Sequence, residues 1–478
     1  MYVITFYSFK GGVGRTMALV NVAAELARRG RKVLVVDFDL EAPGLETYKR
    51  LKPPKPHPGI VEFVTEYRRT NAVPDLREYI YETKPIGKKG GRLWVMPAGR
   101  RDRAYRSALA SLDWQRLYKE EEGFLLFEDT KKGWEEELQP DYVLIDSRTG
   151  DTDVLGICTR QLPDSVVLMF TPNEQNLAGL ENVCADIRHE ATKGLKKTIR
   201  LHFVAANVPD LDDEEGILRR QLATCRKRLE IPEQEKIVEI RRYENLRLLE
   251  QRVFTLDRPH TRTRLARSFR RLTETLIRHN LADRDAALRF LDDYAQEDLP
   301  ADRSKMVEET LSDLNEMRSE IALSNLSDQI APSIILDRFP EDPLDRIALD
   351  FLDDAEILFR VARCRQREGN FKAAVSLLNR TLSVAPGLAK ARYERGVSRA
   401  QLGDVSGAVD DLLDFLRSEA LSQQEVLRAL RALHSFALEE MPKALDLPVV
   451  RSLDDITKLF EVCPLPVSYT HLTLPTIL

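Results

Sequence analysis

Seven consecutive residues, Lys10-Gly11-Gly12-Val13-Gly14-Arg15-Thr16, carry the sharpest chemical signal in this chain. They follow an apolar run, Tyr2–Tyr7, and open a helical pattern over Met17–Arg29 that Gly30 ends. A glycine-rich turn between strand and helix lets several backbone N–H groups converge on one anion. The helix N-terminus adds a positive dipole end. Thr16 stands where a hydroxyl can ligate a divalent ion, and Arg15 brings a permanent charge suited to phosphate oxygens. The chemistry implied is the holding of a polyphosphate and its metal. The plain alternative is a tight turn without ligand.

Three further segments follow in order. Val35-Val36-Asp37-Phe38-Asp39 ends an apolar run, with Glu41, Pro43 and Gly44 after it. Ligands of open α/β sheets bind at strand ends, and carboxylates at i and i+2 point the same way. Val143-Leu144-Ile145-Asp146 ends another run and leads into Ser147-Arg148-Thr149-Gly150. Phe203-Val204-Ala205-Ala206-Asn207 ends a third. Singly, each has an ordinary reading: an aspartate cap, a surface ion pair for Arg148, a turn-forming Asn207.

Together the segments resemble the ParA/MinD-type ATPases, whose deviant Walker A motif reads K-G-G-x-G-K-[ST]. The resemblance implies ATP and Mg²⁺ as cofactors and assigns roles. Gly11, Gly12, Val13 and Gly14 would cradle phosphate, and Arg15 would stand for the lysine that meets the β- and γ-phosphates. Lys10 would reach across a nucleotide-sandwich homodimer. Thr16, Asp37 and Asp146 would form the metal shell, and Asp39 would organise the attacking water. Gly150 would flex near the γ-phosphate, Arg148 would supply transition-state charge, and Asn207 would contact adenine. Three departures stand out. Arginine replaces lysine at position 15, Phe9 replaces the first Walker glycine, and the loop at Arg148 lacks the usual proline. Arginine is a planar fork, so binding is expected to survive more readily than geometry-sensitive hydrolysis. A nitrogenase-reductase-like reading lacks its cluster cysteines near the loop, and a bacterial tyrosine kinase lacks its C-terminal tyrosine cluster.

These residues need a scaffold that gathers strand ends. Tyr2–Tyr7, Lys32–Val36, Leu93–Met96, Tyr142–Ile145, Val166–Phe170 and Leu201–Ala205 are continuous apolar runs. Such runs are strands buried on both faces. The expected fold is α/β, a mainly parallel sheet with helices on both faces, followed by an all-α helical-repeat domain. The proline-rich Lys52–Pro58 must be a loop. Thr261–His279 reads as an amphipathic helix with Arg264, Arg267, Arg271 and Arg278 along one stripe. Further on, Ala362, Gly369 and Ala374 recur as Gly396, Gly403 and Ala408, each 34 residues later. That is the tetratricopeptide period. The expected domains are 1–282 for the nucleotide domain, 283–350 for a helical connector containing the Ala331–Pro343 proline segment, and 351–464 for the repeats. A third helix pair is expected after Gln423. The stretch 465–478 resembles translated adapter sequence and is expected to be a non-native tail.

The formal net charge of −5 gives no global attraction to nucleic acid, so any DNA contact must be local. No apolar run reaches the roughly 18 residues a membrane span needs. Five scattered cysteines without a C-x-x-C pair fit a reducing cytoplasm. The expected function is a slowly hydrolysing, ATP-dependent dimeric switch whose helical repeats recruit a protein partner. The alternatives are a non-hydrolysing nucleotide sensor in a signalling or phage-defence complex, and a DNA- or cargo-positioning ATPase.

Overall fold

A computed structural model describes residues 1–86, 90–150, 154–192, 199–209, 216–243, 251–257, 260–296 and 342–416, with isolated residues up to 432. The repeat expected beyond Gln423, most of the Ala331–Pro343 segment and the 465–478 tail lie outside these residues. By internal contact the chain divides into two units, Met1–Ile277 and Arg278–Leu478.

The first unit is built on one eight-stranded sheet. Its strands are β1 (Tyr2–Tyr7), β2 (Lys32–Asp37), β3 (Tyr81–Glu82), β4 (Arg92–Met96), β5 (Tyr142–Asp146), β6 (Ser165–Phe170), β7 (Arg200–Val208) and β8 (Val238–Arg241). Their order across the sheet is β3-β4-β2-β5-β1-β6-β7-β8. All pairings are parallel except β3 with β4. The central strands β5 and β6 are buried at every residue, as continuous apolar runs require when helices cover both faces. The six expected strands are all present. The edge strands β3 and β8 are additions.

Parallel register decides what meets at the sheet's C-terminal edge. Asp146 of β5 lies opposite Asp37 of β2 on one side and Phe6 of β1 on the other. Beyond β1 the chain turns into the helix Arg15–Arg28, whose alanines Ala18, Ala23, Ala24 and Ala27 are buried. Their small side chains let the helix lie close to the sheet. The expected loop at Lys52–Pro58 is a loop, and the basic helix spans Arg264–Ile277.

In the second unit, helices Ala355–Arg367 and Phe371–Val384 are followed by Ala389–Gln401 and Val405–Leu416. Three of the four helix starts and ends recur at the spacing read from sequence. Gly369 and Gly403 both adopt left-handed backbone, φ 78° and 81°, where each hairpin turns. Ala362, Ala374 and Ala408 are fully buried at the helix crossings. The region expected to be a helical connector holds two described helices. Helices Arg284–Gln296 and Pro343–Asp350 share one core with Ala355–Arg367, through Ala287, Leu291, Leu344, Ile347, Leu358 and Val361. Ion pairs from Arg284 to Asp354 (2.6 Å) and Glu356 (2.7 Å) tie this packing together. Their apolar faces need burial, and the helix Ala355–Arg367 supplies the surface.

Candidate functional site

The loop after β1 takes the shape its glycines permit. Gly12 and Gly14 have φ of 79° and 84°, a backbone that side chains disfavour. Gly14 is the N-cap of the helix Arg15–Arg28, and no side chain caps that helix. Its first-turn N–H groups are therefore available to an anion. The loop borders an open cavity of about 730 Å³, whose lining includes Gly11–Thr16, Asp39, Gly44 and Thr149. Phe9 packs on the helix Glu174–Thr192: a Cβ at Gly179 would fall 2.2 Å from Phe9 Cδ1.

Arg15 is not turned outward. Its side chain is 6% exposed. Its Nε donates to Asp146 Oδ1 at 2.6 Å, and its NH2 donates to Asp39 Oδ2 at 2.7 Å. Its NH1 donates to Ser8 Oγ at 3.4 Å. Burial pulls the Arg15 pKa down, but the charges and hydrogen bonds of Asp146 and Asp39 outweigh it and raise it above that of an ordinary arginine. Burial raises the Asp39 pKa, partly offset by Arg15. Asp37 is fully buried, and its oxygens accept the backbone N–H groups of Asp39 (3.1 Å) and Leu45 (3.4 Å). Burial, with Asp146 and Asp39 nearby, holds its carboxyl well above the ordinary aspartate range. Asp37 thus shapes the loop that carries Asp39, and it lies opposite Asp146 across the sheet.

Asp146 Oδ2 is buried and has no hydrogen-bond partner. An orphaned carboxylate oxygen beside the Thr16 turn fits a divalent cation or its water. Among the described residues no group of three or more His, Cys, Asp or Glu side chains forms a complete metal cage. Mg²⁺ does not need one, since it keeps waters and binds through one or two protein oxygens plus phosphates.

A family model described as the CobQ/CobB/MinD/ParA nucleotide binding domain matches residues 4–250. The chain belongs to this family. An uncharacterized ATP-binding protein of Methanocaldococcus jannaschii is 42% identical over 52 residues, 11% of this chain. The chain spans about a fifth of that relative's length, 20%. Among solved structures, the cell-division ATPase MinD of Pyrococcus furiosus is 19% identical, with a TM-score of 0.41 over 57% of this chain and 98% of its own. Apo McdA of Cyanothece is 16% identical, with a TM-score of 0.44 over 58% and 99%.

The remaining expected residues of this MinD/ParA-family domain sit as follows. Asn207, at a bulge in β7 with φ 53°, donates its Nδ2 to the Gly12 carbonyl at 3.0 Å. It supports the glycine-rich loop directly. Arg148 forms a two-pronged pair with Glu41, at 2.5 and 2.6 Å, linking the loops after β5 and β2. Gly150, φ 77°, accepts a hydrogen bond from Tyr7 Oη at 3.3 Å. Lys10 is exposed, with Nζ 5.4 Å from the Phe9 ring centroid. Sequence reasoning missed one wall of the cavity, Gln251, Arg252 and Phe254. That segment is anchored by Asn21 in the first helix: Thr255 N donates to Asn21 Oδ1 at 3.0 Å. A polar Asn21 among the mostly apolar buried residues of this helix was an available signal. Of the arginine stripe, Arg264, Arg267 and Arg271 line a cleft of about 620 Å³ with Arg241 and Glu239. Arg278 instead pairs with Asp293 at 3.2 Å.

Proposed function

We propose that this chain is an ATP-binding, slowly hydrolysing switch that dimerises around nucleotide and recruits a protein partner through its helical repeats. The observation that carries the reading is the convergence of the phosphate loop, Thr16, Asp39 and Asp146 on one sheet edge. In this reading the N–H groups of Gly11–Thr16 hold the phosphates, and Asn207 steadies the loop through Gly12. Thr16 and Asp146 are the residues that would hold Mg²⁺, which when bound supplies charge neutralisation to the phosphate oxygens. Asp39 orients the attacking water, and Gly150 lets the following loop respond to the γ-phosphate. Exposed Lys10 serves the partner subunit's nucleotide. The domains are 1–282 for nucleotide, 283–350 as a helical connector and 351–464 as the helical repeats, with the described connector helices packed on Ala355–Arg367.

The test is calorimetric titration with ATP and ADP, joined to sedimentation and phosphate release. Lys10→Ala should weaken ATP-linked dimerisation more than nucleotide binding. If the wild type shows no ATP-linked dimer at any concentration, the sandwich reading fails. A second reading, a nucleotide sensor that barely hydrolyses, is favoured by the pairing of Asp39 with Arg15. It predicts tight ATP binding with no measurable phosphate release. The arginine cleft beside Arg267 supports a third, DNA-positioning reading, which requires ATP-dependent, salt-sensitive DNA binding.

A further inference from the structure

We propose that Arg15 is a positioning residue that serves as the resident counter-ion of Asp39 and Asp146, so that a divalent metal and the Arg15 guanidinium compete for the same carboxylate pair. Asp37, Asp39 and Asp146 lie together at one sheet edge, and Arg15 is hydrogen-bonded to two of them, Asp39 and Asp146. Nε takes Asp146 Oδ1 and NH2 takes Asp39 Oδ2, along one edge of the planar fork. A lysine ammonium offers a single nitrogen in place of that fork. Asp146 Oδ2 is left over, buried and unpartnered.

Arginine does not leave such a site by losing its proton, because its pKa stays above the accessible range. It leaves only by moving. A divalent ion entering at Asp146 brings like charge against a guanidinium that is 6% exposed, so one displaces the other. The released guanidinium is then free to meet phosphate. Metal entry and phosphate contact by Arg15 become two halves of one exchange. In a site with lysine at this position the metal would face a weaker competitor.

The inference uses the proposed nucleotide site only for its location, and its test uses no nucleotide. Full-length wild type, Arg15→Gln and Arg15→Lys are titrated with Mg²⁺ or Mn²⁺ alone, followed by thermal shift and by Mn²⁺ electron-paramagnetic resonance. Arg15→Gln keeps an N–H donor and removes the charge. It should bind metal at least about tenfold more tightly than wild type, with a matching rise in Tm. Arg15→Lys, which keeps the charge, should gain less than Arg15→Gln. Adding Asp146→Asn to Arg15→Gln should abolish the gain. Equal metal affinity in wild type and Arg15→Gln overturns the inference, as does a gain that survives Asp146→Asn. If Arg15→Gln folds only with metal, rescue that requires Asp146 supports the competition, and failure to fold at every metal concentration overturns it. Failure of ATP binding in the wild type would sink the nucleotide reading while leaving these metal titrations to stand or fall by themselves.

Discussion

Arg15 shows how one substitution redistributes work within a site. The position resembles that of a phosphate-binding lysine, yet the side chain lies on Asp39 and Asp146. A planar fork at the first helical turn reaches two strand ends at once. Asp39 therefore has two neighbours to serve, Arg15 and the proposed water. Asp39→Ala should retain ATP binding within a few-fold and lose phosphate release, trapping the dimer. Phosphate release at the wild-type rate in this variant would remove Asp39 from the chemistry. Arg15→Lys should keep nucleotide binding and raise turnover, since lysine frees one arm of Asp39. A turnover lower than wild type, with binding intact, would show that the fork itself is needed.

The elements around the site are held by polar contacts that hydrophobic patterning does not reveal. Asn207 carries the end of β7 to the phosphate loop through Gly12. Asn207→Ala removes one neutral hydrogen bond, about 1 kcal/mol, so nucleotide affinity should fall about fivefold. An unchanged affinity would mean that the loop holds its shape without β7. On the helix Arg15–Arg28, Glu25 is fully buried and accepts from Arg28 (2.6 Å) and Arg29 (3.0 Å). Arg29 continues to Glu274 of the basic helix at 2.5 Å, which fastens the two helices together. Burial alone would raise the Glu25 pKa, but Arg28 and Arg29 overcome it and hold the pKa below that of ordinary glutamate. A depressed folded pKa gives stability that is fully present above the unfolded value, about 4.3, and lost as pH falls through the folded one. Glu25→Gln should cost about 2 kcal/mol at neutral pH, less than a fully buried pair because Arg28 reaches solvent. Urea unfolding of both proteins from pH 7 down to pH 3 should show that gap closing below pH 4. A gap independent of pH would assign the loss to packing.

At the scale of the molecule, each unit has its own core and its own polar locks. In the helical unit Asp411 is 4% exposed and takes Arg395 at 2.5 Å and Arg399 at 2.9 Å. These bonds join the helix Ala389–Gln401 to Val405–Leu416. Asp411→Ala leaves two guanidiniums without their shared acceptor and should destabilise the helical unit by about 3 kcal/mol. Calorimetric unfolding should show the loss in the transition of residues beyond Arg278, while ATP titration stays unchanged. A matching loss of nucleotide affinity would show that the units depend on each other. No helix among the described residues is long and apolar enough to cross a membrane.

The sequence by itself determined the sheet's six long strands, because strands buried on both faces must be apolar throughout. It marked the glycine-rich turn after the first strand, since strand, glycines and helix are contiguous. It determined the helical period, because small residues must recur where helices cross. The two short edge strands escaped it: Tyr81–Glu82 is too short to carry a pattern, and Val238–Arg241 alternates polar with apolar residues. Only the tertiary structure decided that Asp37 shapes a loop, that Arg15 bridges two carboxylates, and that Asn207 supports Gly12. Only folding brought Gln251, Arg252 and Phe254 to the cavity, and packed the helix Arg284–Gln296 against Ala355–Arg367. The physical reason is common to all of these. Periodicity records which side of an element is buried, while a hydrogen-bond partner is chosen by distance in space. Parallel register placed Asp146 beside Asp37 across more than a hundred residues of chain, a distance no local pattern encodes.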